Sequence, residues 1–277
     1  MQKKFFIFIS IFLISITTAM SQSEEAWFPE GLNIRPFTAN VLEPRAGFSY
    51  LTNLDKLELN IGTSSDIYKI KTDNFTLSFG ADMFTFTRLM SENDFKFPVQ
   101  TIDYFFGINS GYKVVNDCSE YGFRIRLSHI STHLADGSYD KNTGEWNNGI
   151  DPIVYSREFA DFFPFYQVGS FRGYLGFTYL FHIIPEVFGR EIYQAGFDYY
   201  ITTLPIKVFS PYIAYDFKLS QINKYTGNNV IDAGIKFGKY DKKGFSIFYS
   251  YTSGKSIHGQ YYNLNENYSS IGVNLDL

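Results

Sequence analysis

The stretch from Asn267 to Leu277 constrains this chain more than any other. Ile271, Val273, Leu275 and Leu277 recur at spacing two, with Gly272, Asn274 and Asp276 between them. Successive side chains of a strand point to opposite faces, so the segment has one apolar face and one polar face. Ending on such a strand fits the last stave of an outer-membrane β-barrel, with lipid outside and lumen inside.

The same alternation runs back through the chain. Tyr193, Ala195, Phe197, Tyr199 and Ile201 oppose Gln194, Gly196 and Asp198. Ile231, Ala233, Ile235 and Phe237 oppose Asp232, Gly234 and Lys236, and Phe245, Ile247, Tyr249 and Tyr251 oppose Ser246, Ser250 and Thr252. Twelve strands are predicted, at 45–53, 56–71, 73–89, 100–114, 119–132, 152–166, 171–182, 190–201, 206–220, 228–240, 243–253 and 267–277. The aromatic content, 30 Phe, 22 Tyr and 2 Trp, fits a wall whose greasy residues point one way. After the N-terminus no apolar run reaches the ~18 residues of a helical span. The predicted fold is therefore all-β, a transmembrane antiparallel barrel over residues 45–277.

Loop lengths suggest an orientation. The links at 71–74, 167–170, 202–205 and 240–243 read as short. Those at 90–99, 133–151, 183–189, 221–227 and 254–266 read as long, as expected of the outer side of a bacterial barrel. Asp103, Arg124, Arg126, Asp198, Asp216, Asp232 and Lys236 fall on the inward face. They imply a closed core of paired charges or, alternatively, a narrow pore. Residues 22–44 carry Pro29, Pro36 and Pro44 and no period. They read as a periplasmic segment or as a plug in the lumen.

Lys3 and Lys4 followed by the apolar run from Phe5 to Ile16, and then Ala19-Met20-Ser21, read as a cleaved signal peptide over 1–21. The full chain carries a net charge of −4, and losing Lys3 and Lys4 makes it more acidic. Nucleic acid is therefore excluded as a partner. The single cysteine, Cys118, offers neither an internal disulfide nor a thiolate metal set. No cofactor is expected: Ser253-Gly254-Lys255-Ser256 lacks the upstream glycine of a phosphate loop.

Chemistry centres on Leu127-Ser128-His129-Ile130-Ser131-Thr132-His133. Tyr121, Phe123, Ile125 and Leu127 face lipid, so by parity His129, Ser131 and His133 also point outward, just above the apolar band. An imidazole beside a hydroxyl is the base–nucleophile pair of acyl transfer. His129 is the candidate base, Ser131 the nucleophile and Glu158 the orienting carboxylate, with Asp161 and Asp136 as other candidates for that third role. The bland reading makes the histidines interfacial polar residues. A metal held by His129 and His133 with His182 or Asp136 would need strand five to end before His133, since i, i+4 on a strand separates the imidazoles by ~13 Å. No metal site is therefore expected. Ser156-Arg157-Glu158 reads as a rim-bracing Arg–carboxylate fork.

Three resemblances accompany these residues. Ser270-x-Gly272-x-x-Leu275-x-Leu277 resembles the C-terminal signal read by the barrel-insertion machinery. The His129-x-Ser131 pair resembles the outer-membrane phospholipase A and lipid A deacylase barrels, whose base and nucleophile sit on the outside wall. Leu42-Glu43-Pro44-Arg45, Arg126 to Asp136, Tyr155 to Glu158, Gly254 to Tyr261 and the final strand together resemble a family of bacterial outer-membrane barrels described as domain of unknown function 1207. That last resemblance implies a barrel in the outer membrane of a Gram-negative envelope and brings no activity with it. The expected partners are outer-membrane lipids, lipopolysaccharide and phospholipid, together with the insertion machinery. The expected role is structural or binding. One alternative is an outer-leaflet acyl hydrolase using His129, Ser131 and Glu158, and a second is a narrow diffusion pore.

Overall fold

The computed structural model describes residues 23–92, 94–134, 138–146, 149–204 and 208–276. The expected signal peptide, Asp136 and Leu277 lie outside the described residues. Twelve long antiparallel strands close into one barrel: β1 (Ala46–Leu51), β2 (Lys56–Lys71), β3 (Thr76–Met90), β4 (Val99–Val115), β5 (Ser119–Leu134), β6 (Tyr155–Val168), β7 (Phe171–Ile184), β8 (Phe188–Tyr200), β9 (Phe209–Ile222), β10 (Lys224–Phe237), β11 (Gly244–Lys255) and β12 (Asn265–Asp276). Each pairs with its sequence neighbours, and β12 closes on β1 from Ser270↔Leu51 to Leu275↔Ala46. Closure pairs backbone groups along the wall that would be prohibitive to leave open in lipid. β2 outruns the short β1, and the strand Glu24–Trp27 pairs with its far end, from Glu24↔Lys71 to Trp27↔Tyr68.

Two expected long loops are tight turns. β9 and β10 stay paired up to Ile222↔Lys224, with only Asn223, at φ 60°, between them. β7 runs to Ile184 and β8 begins at Phe188. The ladders continue past the apolar band because backbone pairing there needs no greasy face. Conversely, β8 ends at Tyr200 and β9 begins at Phe209, a wider link than the one read at 202–205.

The outer wall is apolar, with Ile61, Met83, Ile108, Leu127, Leu175, Tyr166 and Ile271 all at least half exposed. The aromatics do not all point that way. Phe84, Phe86, Phe105 and Phe159 pack inside with Ile130, Leu180, Ile183 and Ile192, forming an interior core at the end opposite Glu24–Trp27. A barrel of this strand number is narrow enough for side chains to fill.

Residues 32–45 thread the lumen. Phe37, fully buried, stacks on Tyr174 at 4.1 Å and Phe163 at 5.5 Å between ring centroids. Asn33 N donates to Asp66 at 2.7 Å, Thr38 N to Asp198 at 2.8 Å, and Arg172 to the carbonyls of Arg35 and Pro36 at 2.9 and 2.6 Å. Glu43 forms a two-point pair with Arg124, and Arg126 donates to Leu42 O at 3.0 Å. The inward charges are matched in kind: Arg126 with Asp161, Arg172 with Asp198, Lys236 with Asp276, and Asp103 with His258. Asp216 accepts from Tyr174 and Gln194, and Asp232 from Tyr212.

At the β11–β12 end, residues 256–264 fold down into the mouth. His258 is fully buried there, its Nδ1 2.7 Å from Asp103, and Arg88 clamps Glu266 through two bonds of 2.6 and 2.8 Å. A cavity of about 560 Å³ remains at the opposite mouth, lined by Arg35, Arg45, Tyr200, Tyr240 and Lys243, whereas the space beside Arg126 and Lys218 is about 20 Å³. A space that size holds at most about one water. Planar bilayers containing the purified protein are therefore expected to stay silent. Steady single-channel steps would show that the lumen opens.

Candidate active site on the outer wall

Strand β5 presents Tyr121, Ile125 and Leu127 outward and buries Arg124, Arg126, Ser128, Ile130 and Thr132 inward. His129, Ser131 and His133 share the outward face. On β6, Phe159, Asp161, Phe163 and Phe165 point inward and Phe162 and Tyr166 outward. Glu158 therefore faces out beside β5. Cross-strand register sets two polar rows above the greasy wall. His129 lies opposite Glu158, which lies opposite His182, and Ser131 lies opposite Ser156. The row beneath is Leu127, Ala160 and Tyr179.

The carboxylate of Glu158 gathers three groups. His129 Nδ1 is 2.6 Å from Oε1, Ser156 Oγ donates to the same oxygen at 3.2 Å, and His182 Nδ1 bonds Oε2. An ionised carboxylate only accepts, so Nδ1 is the donor in each imidazole. Among the described residues, nothing bonds Nε2 of His129, and the hydroxyl of Ser131 forms no hydrogen bond to it. Ser131 and His129 are two residues apart on one strand face, ~6.6 Å by strand rise. In ligand-free sites such pairs are often slack and tighten around substrate.

The side chains of His129, Glu158 and His182 are 40%, 29% and 56% exposed on the outer wall.

Other expectations for this rim come out differently. Asp161 cannot orient His129, because it is buried in the lumen, with its carboxylate on Arg126 Nε at 2.9 and 3.2 Å. The Arg157–Glu158 fork does not form: adjacent residues of a strand face opposite ways, and Arg157 lies over the rings of Tyr155 and Phe159. β5 continues through His133 to Leu134, so the strand break needed for His129 and His133 to share a metal is missing. His133 instead meets the ring of Tyr104 edge-on at 5.4 Å. His258 belongs to the buried mouth and not to the wall.

Nothing in the sequence alternation marks Ser156 or His182 as a partner of Glu158. Parity along β7 sends Leu175, Phe177, Tyr179 and Phe181 outward and His182 inward. The register slips between Leu180↔Phe159 and His182↔Glu158, a β-bulge that turns His182 out.

A closed antiparallel barrel with an apolar outer wall and a filled lumen is an outer-membrane-type β-barrel. Its fold is similar to outer membrane phospholipase A from Escherichia coli: TM-score 0.55, 12% identity, covering 89% of this chain and 95% of that one. An active-site mutant of the same enzyme gives TM-score 0.58 and 13% identity over the same shares. No curated protein matches the chain in sequence. The chain belongs to the family described as Protein of unknown function (DUF1207), whose model matches residues 82–277. That span takes in His129, Ser131 and Glu158 and leaves Leu42-Glu43-Pro44-Arg45 outside it.

Proposed function

We propose that this protein is an acyl hydrolase of outer-leaflet lipid esters, lodged in the outer membrane of a Gram-negative bacterium after removal of residues 1–21. The mouth at Glu24–Trp27 would face the periplasm. The observation that carries the reading is the bond of 2.6 Å from His129 Nδ1 to Glu158 on the lipid-facing wall, with Ser131 next along the same face. The likeness in fold to a barrel whose name records phospholipase activity supports it.

In the proposed reaction Ser131 Oγ attacks the ester carbonyl carbon as its proton passes to His129 Nε2. The ester C–O bond then breaks and the departing alkoxide takes that proton from His129. Water, deprotonated by His129, attacks the acyl-serine carbonyl carbon; the bond to Ser131 Oγ breaks, Ser131 takes the proton back from His129, and the fatty acid leaves. Glu158 holds the imidazole in the productive tautomer and stabilises the imidazolium that forms. The substrate's acyl chain would lie along Leu127, Ala160 and Tyr179, so phospholipid and the ester-linked chains of lipopolysaccharide are the substrate classes the position admits.

The test is purified protein in mixed vesicles of phospholipid and lipid A, with released fatty acid followed by mass spectrometry. Release that depends on His129 and Ser131 is expected. No release from either lipid would leave a structural or binding barrel.

A further inference from the structure

We infer that His182 is a positioning residue of the hydrolytic site, brought to it by a bulge that Arg190 holds in place. This rests on the reading of His129, Ser131 and Glu158 as base, nucleophile and orienting group.

A carboxylate on an outer wall is free to rotate. Held only by His129, Glu158 would exchange its two oxygens and carry the imidazole with it. Here both oxygens are occupied. Oε1 takes His129 from β5 and Ser156 from β6, and Oε2 takes His182 from β7. Three adjacent strands thus fix one carboxylate against the imidazole it orients.

The backbone is irregular at the point that makes this possible. With regular pairing His182 would face the lumen with the buried Leu180, and Ile183, which is buried here, would face out. Phe181 instead stands without a partner in the register, and His182 falls opposite Glu158. A bulge leaves ladder groups unpaired. Two carbonyls at this one are taken up by a single side chain on the next strand: Arg190 Nη1 donates to Leu180 O at 3.2 Å and to Phe181 O at 2.9 Å. Arg190 therefore braces the distortion that aims His182. His182 has no path to the reacting ester except through Glu158, so its role is to position.

Misplacement of a catalytic group by about 1 Å can cost up to ~10²-fold in rate. The loss of one of three anchors is expected to cost less. The experiment compares full-length wild type, His182→Ala, His182→Asn and Arg190→Ala on micelles of a short-chain diacyl phosphatidylcholine. Heat-modifiable migration verifies that each variant is folded; His182 is exposed, so its replacement leaves the interior untouched.

His182→Ala is expected to lower kcat about 10-fold with KM nearly unchanged. His182→Asn is expected to restore most of kcat, because the asparagine amide nitrogen stands where Nδ1 stands and donates the same bond. Arg190→Ala is expected to fall between the two. Full kcat in His182→Ala, or equal loss in His182→Asn and His182→Ala, would overturn the inference while leaving the roles of His129 and Ser131 intact. No turnover by wild type on any ester-linked lipid would overturn the underlying reading and this inference with it.

Discussion

Replacing Ser131 with alanine is expected to reduce fatty-acid release by about 10³-fold or more, and His129→Ala is expected to do the same. Both remove the bond-making step and leave lipid binding along the wall in place. The effect should therefore fall on kcat. The double variant is expected to lose no more than either single one, because nucleophile and base act as a unit. Glu158→Ala should sit between these and wild type, since it frees the imidazole without removing it. Vesicle assays of the refolded variants read all of these. A Ser131→Ala protein retaining a tenth or more of wild-type turnover would mean that another group attacks the ester, with Ser156, directly across from it, the first to examine.

The second large effect concerns stability. Glu43 and Arg124 are both buried, and their pair ties the luminal segment to β5. Glu43→Ala leaves a guanidinium without its carboxylate in a packed interior, and breaking a buried pair from one side costs about 3–5 kcal/mol. A clearly lower denaturant midpoint in detergent is expected, read by heat-modifiable migration or by tryptophan fluorescence. Phe37→Ala would empty the slot between Tyr174 and Phe163 and remove the ring under Arg124 and Arg172 while leaving the Glu43–Arg124 ion pair in place. An unchanged midpoint in Glu43→Ala would show that the lumen does not depend on this segment for its cohesion.

How far the fold can be read in advance depends on whether neighbouring faces meet different surroundings. In β10, β11 and β12 one face meets lipid and the other polar lumen, so apolar residues keep strict spacing and the strands stand out. β6 is harder. Phe162 and Tyr166 face lipid, but Phe159, Phe163 and Phe165 fill the interior, so both faces are aromatic and the phase of Glu158 is hidden. The hairpin at Asn223 reads as loop because Gln221, Lys224 and Thr226 are polar, yet their backbones stay paired. Residues 32–45 carry no period, since their order comes from distant side chains on β5, β7 and β8 rather than from their own repeat. Of the wall site, His129 and Ser131 are legible because β5 alternates without a break. His182 is not, because a bulge is a backbone irregularity with no signature in Leu180-Phe181-His182 that sets it apart from a regular strand.

The most direct measurement is covalent labelling of the folded, detergent-solubilised protein with a long-chain alkyl fluorophosphonate, followed by intact mass and peptide mapping. One phosphonyl group on Ser131 in wild type, and none in His129→Ala, is the expected result. An unlabelled wild-type protein, or an adduct that forms equally well without His129, would contradict a hydrolytic site on the lipid-facing wall.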